Sequence, residues 1–188
     1  MSQSPVQVYG GQGTLAQSVL ASAPEGMLIA PAWKRAAAFA IDALLITIVL
    51  TFLTGGVFAT TLNDLSLLTQ GAKSIAFFLV NWLILFMAGY LYFKYTGRSF
   101  GRSLGQRGFR IAIVHDNGTA LEQHHWGPRA IAKLAYFLPF IGWFLFGLRD
   151  VMLARSGEGG YRTKIDQAHH TVAAVDWSLP SETRLKLK

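Results

Sequence analysis

The chain has 188 residues, of which 52% are hydrophobic and only 14% are charged. A soluble domain carries about 25% charged residues, so this composition indicates a small integral membrane protein with one domain. The absence of cysteine excludes disulfide bonds, thiolate metal ligands and thiol catalysis. The net charge is +7, and 14 of the 17 lysines and arginines lie at or after Lys94. Because these basic residues flank hydrophobic segments, they favour contact with the anionic cytoplasmic leaflet over nucleic-acid binding.

Residues 1–30 are rich in Gly, Ser, Gln, Ala and Pro and contain no basic residue. They predict a flexible cytoplasmic tail without a secretory signal. Residues 34–57 predict the first membrane span, since about 20 mostly apolar residues cross a hydrocarbon core of about 30 Å. Arg35 and Asp42 lie on one face of this helix, because a spacing of seven residues returns to the same side.

Asp42 is the acidic residue inside this first span. Burying an ionised carboxylate in a bilayer costs about 3 kcal/mol, so Asp42 is expected to face protein or water. Two interpretations stay open. The carboxylate either carries protons or binds a cation during transport, or it belongs to a structural ion pair. The candidate partners for such a pair are Arg35, Arg129, Lys133 and Arg149.

Residues 73–95 predict a second span that ends in tyrosines and a lysine, side chains typical of the membrane interface. Asn81 lies inside this span, where it predicts an interhelical hydrogen bond rather than a substrate contact. Residues 59–72, between the spans, contain no basic side chain, whereas basic residues flank the outer ends of both spans. The positive-inside rule therefore predicts a two-span helical hairpin with both ends in the cytoplasm.

Residues 97–118 alternate glycines and arginines with apolar side chains, a pattern that predicts a surface segment at the headgroups. Its supporting basic surface consists of Arg102, Arg107 and Arg110. Residues 109–114 predict a β-strand, which ends in turn-forming residues. Residues 171–175 predict a second strand, and we expect the two to pair as a small cytoplasmic β-element.

Residues 129–153 form a third hydrophobic segment whose path stays open. Its apolar part, residues 130–148, has 19 residues and is just long enough to span. However, Lys133 and Pro139 interrupt it, and both of its flanks are basic. The favoured prediction is a Pro-bent segment that enters the membrane and returns, and the alternative is a plain third span.

The five histidines raise the possibility of a metal site, because neutral imidazole is a common ligand. They are His115, His124, His125, His169 and His170. No HxxxH or HExxH spacing occurs among them, and adjacent residues in a strand point to opposite faces. His115 and His170 could still be close if the two strands pair. The sequence therefore predicts no metal, no cofactor and no enzymatic activity.

In their order and spacing, these residues resemble the RDD family of bacterial membrane proteins, named for one arginine and two aspartates. Arg35 and Asp42 match the family's arginine at the start of the first span and the aspartate within it. The glycine- and arginine-rich segment 97–118 and Arg129 match the features that follow. Asp166, five residues before a valine-containing strand, matches the second aspartate.

The resemblance covers about residues 31–176, with two departures from the family pattern. Ile165 stands where the family usually has histidine, and His170 stands where it has glycine. The resemblance implies a multi-pass protein of the bacterial plasma membrane, with suspected transport in some members and no settled common activity.

The predicted fold is an all-α polytopic membrane domain over residues 31–177, followed by a basic C-terminal tail over residues 178–188. The candidate ion-pair or transport residues are Arg35, Asp42, Asp166 and Arg129. Because basic side chains after the second span are expected on the same membrane face as Asp166, we expect its carboxylate to pair with one of them. The candidates are Arg102, Arg107 and Arg110.

Two functions are consistent with this pattern. The first is transport, coupled to a cation or proton, by a homo-oligomer in the lipid bilayer, since two or three spans alone enclose no pathway. The second is a non-catalytic accessory or assembly subunit of a larger membrane complex. In that case aromatic-rich helix faces would be packing surfaces, and otherwise they face lipid. These faces contain Phe77, Phe78, Trp82, Phe86, Phe137, Phe140, Trp143 and Phe144.

Overall fold

A computed structural model describes residues 7–8, 23–139, 141–156 and 160–187, so most of the predicted flexible tail lies outside the described residues. The helices are α1 (Ala32–Leu53), α2 (Val57–Thr61), α3 (Ala72–Phe100), α4 (Leu104–Gly108), α5 (Trp126–Leu134), α6 (Leu148–Arg155), α7 (Lys164–Ala168) and α8 (Ser181–Lys186). The strands are β1 (Gln7–Val8), β2 (Leu28–Ile29), β3 (Ile111–His115) and β4 (Thr171–Val175). Short 3-10 turns cover Leu65–Leu68, Gln123–His125, Ala135–Phe137 and Asp176–Ser178, and a π-helical stretch covers Gly142–Gly147.

Helices α1 and α3 are long and apolar enough to cross a membrane, with 22 and 29 residues respectively. This confirms the prediction of a helical membrane protein. Helix α3 continues past the predicted end at residue 95 and stops at Gly101, whose φ of 67° is left-handed. Glycine adopts this conformation without a Cβ penalty, so it terminates the helix one turn into the arginine-rich segment.

The third hydrophobic segment consists of two helical stretches. Residues 123–137 and 142–155 meet at an angle of 116°. Pro139 lies between them, where it lacks the backbone N–H that a continuous helix would need. Within the described residues, this bent pair is apolar enough to count as one further candidate span.

The strands form one small sheet in the order β1-β2-β4-β3. β3 and β4 pair antiparallel, with Ile111 opposite Val175 and His115 opposite Thr171, as the sequence predicts. β3 begins two residues later than expected, since Arg110 takes a left-handed φ of 55°. β2 lies on the other side of β4, so the end of the predicted tail is part of the sheet.

The sheet packs through both of its faces. One face carries Met27, Val114 and Val172 against Leu179, which follows the strands in the predicted basic tail. The opposite face packs against the membrane helices, with Ile113 and Val175 next to Ala38 of α1 and Trp126 of α5. The sheet therefore sits directly on the ends of the membrane helices.

A second core lies within the membrane helices and includes Ile46, Phe93 and Phe137. At the other end of the bundle, the Asn81 side-chain amide donates a hydrogen bond of 2.8 Å to the Thr61 hydroxyl. This contact confirms the predicted interhelical role of Asn81, because it joins α3 to α2.

Contact between α3 and α5 depends on the absence of a side chain at Gly97. A Cβ atom at this position would lie 2.1 Å from Cε3 of the Trp126 indole. We expect Gly97→Ala to lower the free energy of unfolding by about 1–3 kcal/mol, because overpacking forces neighbours apart. Thermal unfolding in detergent, followed by circular dichroism, measures this loss.

Gly108→Ala is the matched control, since nothing lies within 4 Å of a Cβ placed there. Alanine also favours helix more than glycine does, so this control should keep or slightly raise the stability. Equal losses for the two variants would contradict the proposed contact.

Candidate functional site

The first polar cluster surrounds Asp166 in the first turn of α7. Thr163 caps this helix by accepting a hydrogen bond of 3.1 Å from the Asp166 backbone N–H. Arg129 of α5 donates from Nη2 to Asp166 Oδ1 at 2.8 Å and from Nη1 to the Thr171 hydroxyl. Arg35 of α1 lies on the other carboxylate oxygen, with 3.5 Å between its Nη1 and Oδ2. One carboxylate thus holds two guanidinium groups from two membrane segments.

Arg35 also binds the backbone of the sheet. Its Nε donates to the Ala30 carbonyl at 2.8 Å, and its Nη2 donates to the Ala173 carbonyl at 3.4 Å. These carbonyls belong to the segment after β2 and to β4. The arginine therefore fixes the start of the first span to the sheet.

The electrostatics of this cluster keep Asp166 ionised. Burial by itself raises the pKa of the Asp166 carboxyl, but Arg129 and Arg35 together outweigh it and hold the pKa below the ordinary value of 3.8. Asp166 and Arg129 are each only 3% exposed. Removing one partner of such a buried pair lowers the folding stability strongly, because the other charge would stay buried without compensation.

The expected pairing of Asp166 with the basic segment is wrong. Arg102 is itself buried and pairs with Asp176 at 2.8 Å, whereas Arg107 and Arg110 are exposed. The antiparallel register of β3 and β4 explains why Arg110 does not reach Asp166. It places Arg110 beside the end of β4, and the Arg110 carbonyl accepts a hydrogen bond from the Asp176 N–H. Asp166 precedes the start of β4, and five strand residues span roughly 13 Å. The basic-surface prediction therefore fails for Arg102.

Among the described residues, Asp42 forms an ion pair with none of its four candidate partners, which were Arg35, Arg129, Lys133 and Arg149. Its carboxylate is 1% exposed and accepts hydrogen bonds from the Tyr92 hydroxyl at 2.6 Å, the Ser103 hydroxyl at 2.5 Å and the Gly105 N–H at 2.7 Å. Tyr92 belongs to α3, whereas Ser103 caps the short helix α4 that follows it and Gly105 lies within α4. Asp42 therefore joins the first span to the second through neutral donors.

The sequence carries a partial signal for this second cluster. Ser103 and Gln106 form a capping box at the start of α4, a pattern that Ser-x-x-Gln predicts. Gly105 is needed because a Cβ would lie 2.1 Å from the Ala38 carbonyl oxygen. Sequence reasoning missed Tyr92 as a partner of Asp42, since tyrosines at the end of a span usually indicate only an interface.

A cavity of about 490 Å³ lies between α1, the bent third segment and the sheet. Both clusters contribute to its wall. Its charged residues are Arg35, Asp42, Arg129, Lys133, Asp150 and Asp166. The remaining wall is largely aromatic and aliphatic, and it includes Phe39, Tyr136, Trp143 and Phe144. The arrangement combines a charged end with an apolar compartment, as small-molecule sites commonly do.

The sequence analysis did not single out Asp150, and it named Lys133 only as a candidate partner of Asp42. Asp150 is 3% exposed and accepts hydrogen bonds from the Tyr136 hydroxyl and, at 3.1 Å, from Arg149 Nε. The Lys133 ammonium lies 4.2 Å from the centroid of the Phe93 ring. Within the described part of the chain, no carboxylate oxygen lies within 4 Å of the Lys133 ammonium, although Asp42 and Asp166 act on it electrostatically.

The histidines are distributed differently from expectation. His115 lies beside His125, with 5.0 Å between the ring centroids, rather than beside His170. Glu122 joins them, and the potential ligand atoms of these three residues all lie within 4.8 Å of one another. Of the residues that the structure describes, these three form the group best placed to hold a metal ion.

The model of the RDD family matches residues 29–166, well over half of the chain. This chain belongs to the RDD family. The match confirms the resemblance and assigns the chain to a family of membrane proteins. The matched range includes Arg35, Asp42, Arg129 and Asp166, which the structure places in two separate clusters. Neither a curated protein nor a solved structure gives a significant match.

Removing the shared carboxylate tests the first cluster of this RDD protein. We expect Asp166→Asn to lower the free energy of unfolding by about 3–5 kcal/mol, because Arg129 and Arg35 would then be buried without a counter-charge. Unfolding of the purified protein in detergent, by heat or by denaturant, measures the change.

Asp116→Asn provides the matched comparison, since it also removes an aspartate from an arginine pair. Asp116 lies 3.2 Å from Arg162 and its side chain is 27% exposed, against 5% for Asp166. A pair this accessible contributes at most about 1 kcal/mol. If both variants lose a similar free energy of unfolding, burial does not make the Asp166 cluster more important for stability than the exposed pair.

Proposed function

We propose that this RDD protein transports a small amphipathic anion across the membrane and binds it in the 490 Å³ cavity. The observation that carries the proposal is the Lys133 ammonium, which lines the cavity with no carboxylate oxygen within 4 Å among the described residues. A buried or half-buried cation is stabilised by an anion within reach. A substrate carboxylate, sulfonate or phosphate would provide it.

The carboxylates of the cavity support this choice of charge. Asp42 accepts from three neutral donors, Asp166 is shared by two arginines, and Asp150 accepts from Tyr136 and Arg149. Each acid therefore already has donors, which leaves little capacity to bind a substrate cation. Arg35 Nη1, by contrast, is buried and makes no hydrogen bond within the described residues. Because this nitrogen also lies 3.5 Å from Asp166 Oδ2, Lys133 is the group that favours an anion.

The apolar wall defines the rest of the substrate class. Phe39 and Tyr136 line the cavity in edge contact, with ring centroids 5.1 Å apart. Trp143 and Phe144 line it too, and they are 53% and 74% exposed on the outer side of the bundle. Aromatic walls suit a flat or short aliphatic body. The cavity thus suits an anion with an aromatic or short aliphatic body.

A topology with the sheet and the N-terminus on the cytoplasmic side of the plasma membrane fits this function. Both ends of the third segment contact the sheet side, because Arg129 binds Asp166 and Asp150 accepts from the Lys164 N–H at 3.4 Å. The proposal includes a two-span hairpin and a re-entrant path for the third segment, which is bent by 116° between residues 137 and 142. The basic residues of the sheet side agree with the positive-inside rule.

Transport requires more than one copy, since two spans and a bent segment do not enclose a pathway. The outer faces of α1 and α3 are apolar and exposed, for example at Leu44 (58%) and Leu83 (61%), and they can contact lipid or a second copy. We further propose that transport of the anion is coupled to movement of a proton or cation. Asp42 is its candidate group, because its carboxylate lines the same cavity.

Lys133→Gln tests the binding site. We expect it to weaken binding of benzenesulfonate about 10- to 100-fold, because a hydrogen bond to a charged group contributes about 1.5–3 kcal/mol. Isothermal titration calorimetry on the protein in detergent measures the affinity. Phenyltrimethylammonium, which has the same ring and the opposite charge, should not bind.

Lys164→Gln is the matched control for this experiment, since Lys164 is exposed and does not line the cavity. It should leave the affinity unchanged. If Lys133→Gln binds benzenesulfonate as the unaltered protein does, or if the cation binds equally well, the cavity is not an anion site.

Purification from native membranes in mild detergent separates transport from the accessory-subunit alternative. We expect a homo-oligomer that moves benzenesulfonate when reconstituted in liposomes. Asp42→Asn then tests coupling, because the amide keeps an oxygen for the Gly105 N–H and a nitrogen for the Ser103 hydroxyl. A folded variant that loses proton- or cation-dependent uptake supports coupling through Asp42. Larger proteins that co-purify in fixed ratio would instead support the accessory role.

A further inference from the structure

We propose that His115, Glu122 and His125 form a binding site for Zn²⁺ or a similar divalent transition-metal ion. Their potential ligand atoms all lie within 4.8 Å of one another, and 3.3 Å separates Glu122 Oε2 from His125 Nε2. A metal with bonds of about 2.0–2.1 Å in tetrahedral geometry holds its ligands roughly 3.4 Å apart. One pair of ligands therefore already has the required spacing.

The remaining adjustment falls on a mobile side chain. The Glu122 side chain is 67% exposed, so its rotation can close the carboxylate on the two imidazoles. The His125 side chain is only 28% exposed, and it stands directly before Trp126, which is buried. The imidazoles thus define the position of the ion, and the carboxylate completes the group.

The backbone holds the two histidines on fixed elements. His115 ends β3, pairs with Thr171 and donates its N–H to the Thr119 carbonyl at 2.9 Å. His125 ends a 3-10 turn in which its N–H donates to the Glu122 carbonyl at 3.2 Å. A site that joins a strand to a helix start needs little ordering when a metal binds.

The donor set defines the class of metal. Two imidazole nitrogens and one carboxylate suit Zn²⁺, Cu²⁺ or Ni²⁺, whereas Mg²⁺ and Ca²⁺ prefer oxygen ligands. Water can provide a fourth ligand, and His124 lies nearby, 3.6 Å from Glu122 Oε2.

The position of the site relates it to the cavity. His125 lies one helical turn before Arg129, which holds Asp166 and lines the cavity. A metal ion bound to His115 and His125 would fix the start of the third segment to β3. The metal site does not depend on the proposed transport, since neither His115 nor His125 lines the cavity.

Titration of the full-length protein in detergent, with any affinity tag removed, tests this site. The probe is Co²⁺ alone, whose visible d–d bands report the coordination number and the ligands, and competition with Zn²⁺ gives the affinity. We expect one Co²⁺ per chain with a tetrahedral spectrum. Loss of an outer-shell partner weakens metal sites by about 10- to 100-fold, so His115→Ala and His125→Ala should weaken binding at least tenfold.

His170→Asn is the matched control, because His170 has a left-handed φ of 51° that asparagine tolerates and it lies outside the three-residue group. It should keep the affinity and the spectrum. Circular dichroism verifies that every variant is folded. An octahedral spectrum without tetrahedral bands, or equal affinity in His125→Ala and the unaltered protein, would overturn the proposal.

Discussion

The buried ion pair between Arg129 and Asp166 is the interaction on which the rest of this structure depends. It joins the third hydrophobic segment to the element that leads into β4, and Arg35 extends it to the first span. Water cannot replace either partner, because both are almost fully buried. Buried pairs of this kind add little net stability, but they penalise every other packing arrangement strongly. The pair therefore determines how the membrane helices and the sheet fit together.

The two aspartates of the RDD signature perform different tasks in this arrangement. Asp166 is neutralised by arginines, whereas Asp42 is held by a tyrosine, a serine and a glycine N–H. Both tasks concern α1, which Arg35 fixes to the sheet at one level and Asp42 fixes to the end of α3 at another. The small residues at these contacts, such as Gly105, allow the backbones to approach closely. The signature thus describes the docking of one helix.

The cavity and the histidine group share a single helix, α5. Trp126 packs against Gly97 at its start, Arg129 binds Asp166 one turn later, and Lys133 faces the cavity after another turn. His125 precedes this helix and lies beside His115 of β3. The histidine group and the cavity wall therefore lie at opposite ends of one helix.

Local pattern in the sequence determined the two spans, the β3–β4 pair and the family, because apolar length and strand periodicity depend on neighbours in the chain. Asn81 was assigned correctly for the same reason, since a lone amide in a span needs a partner nearby. The tertiary structure alone decided the partners of the charges. Asp166 binds Arg129 and Arg35, which are 37 and 131 positions away in the chain, and Asp42 binds groups at least 50 positions away. The sequence shows that a buried charged side chain needs a partner. Only the strand register and the positions of the helix ends determine which residue lies close enough to be that partner.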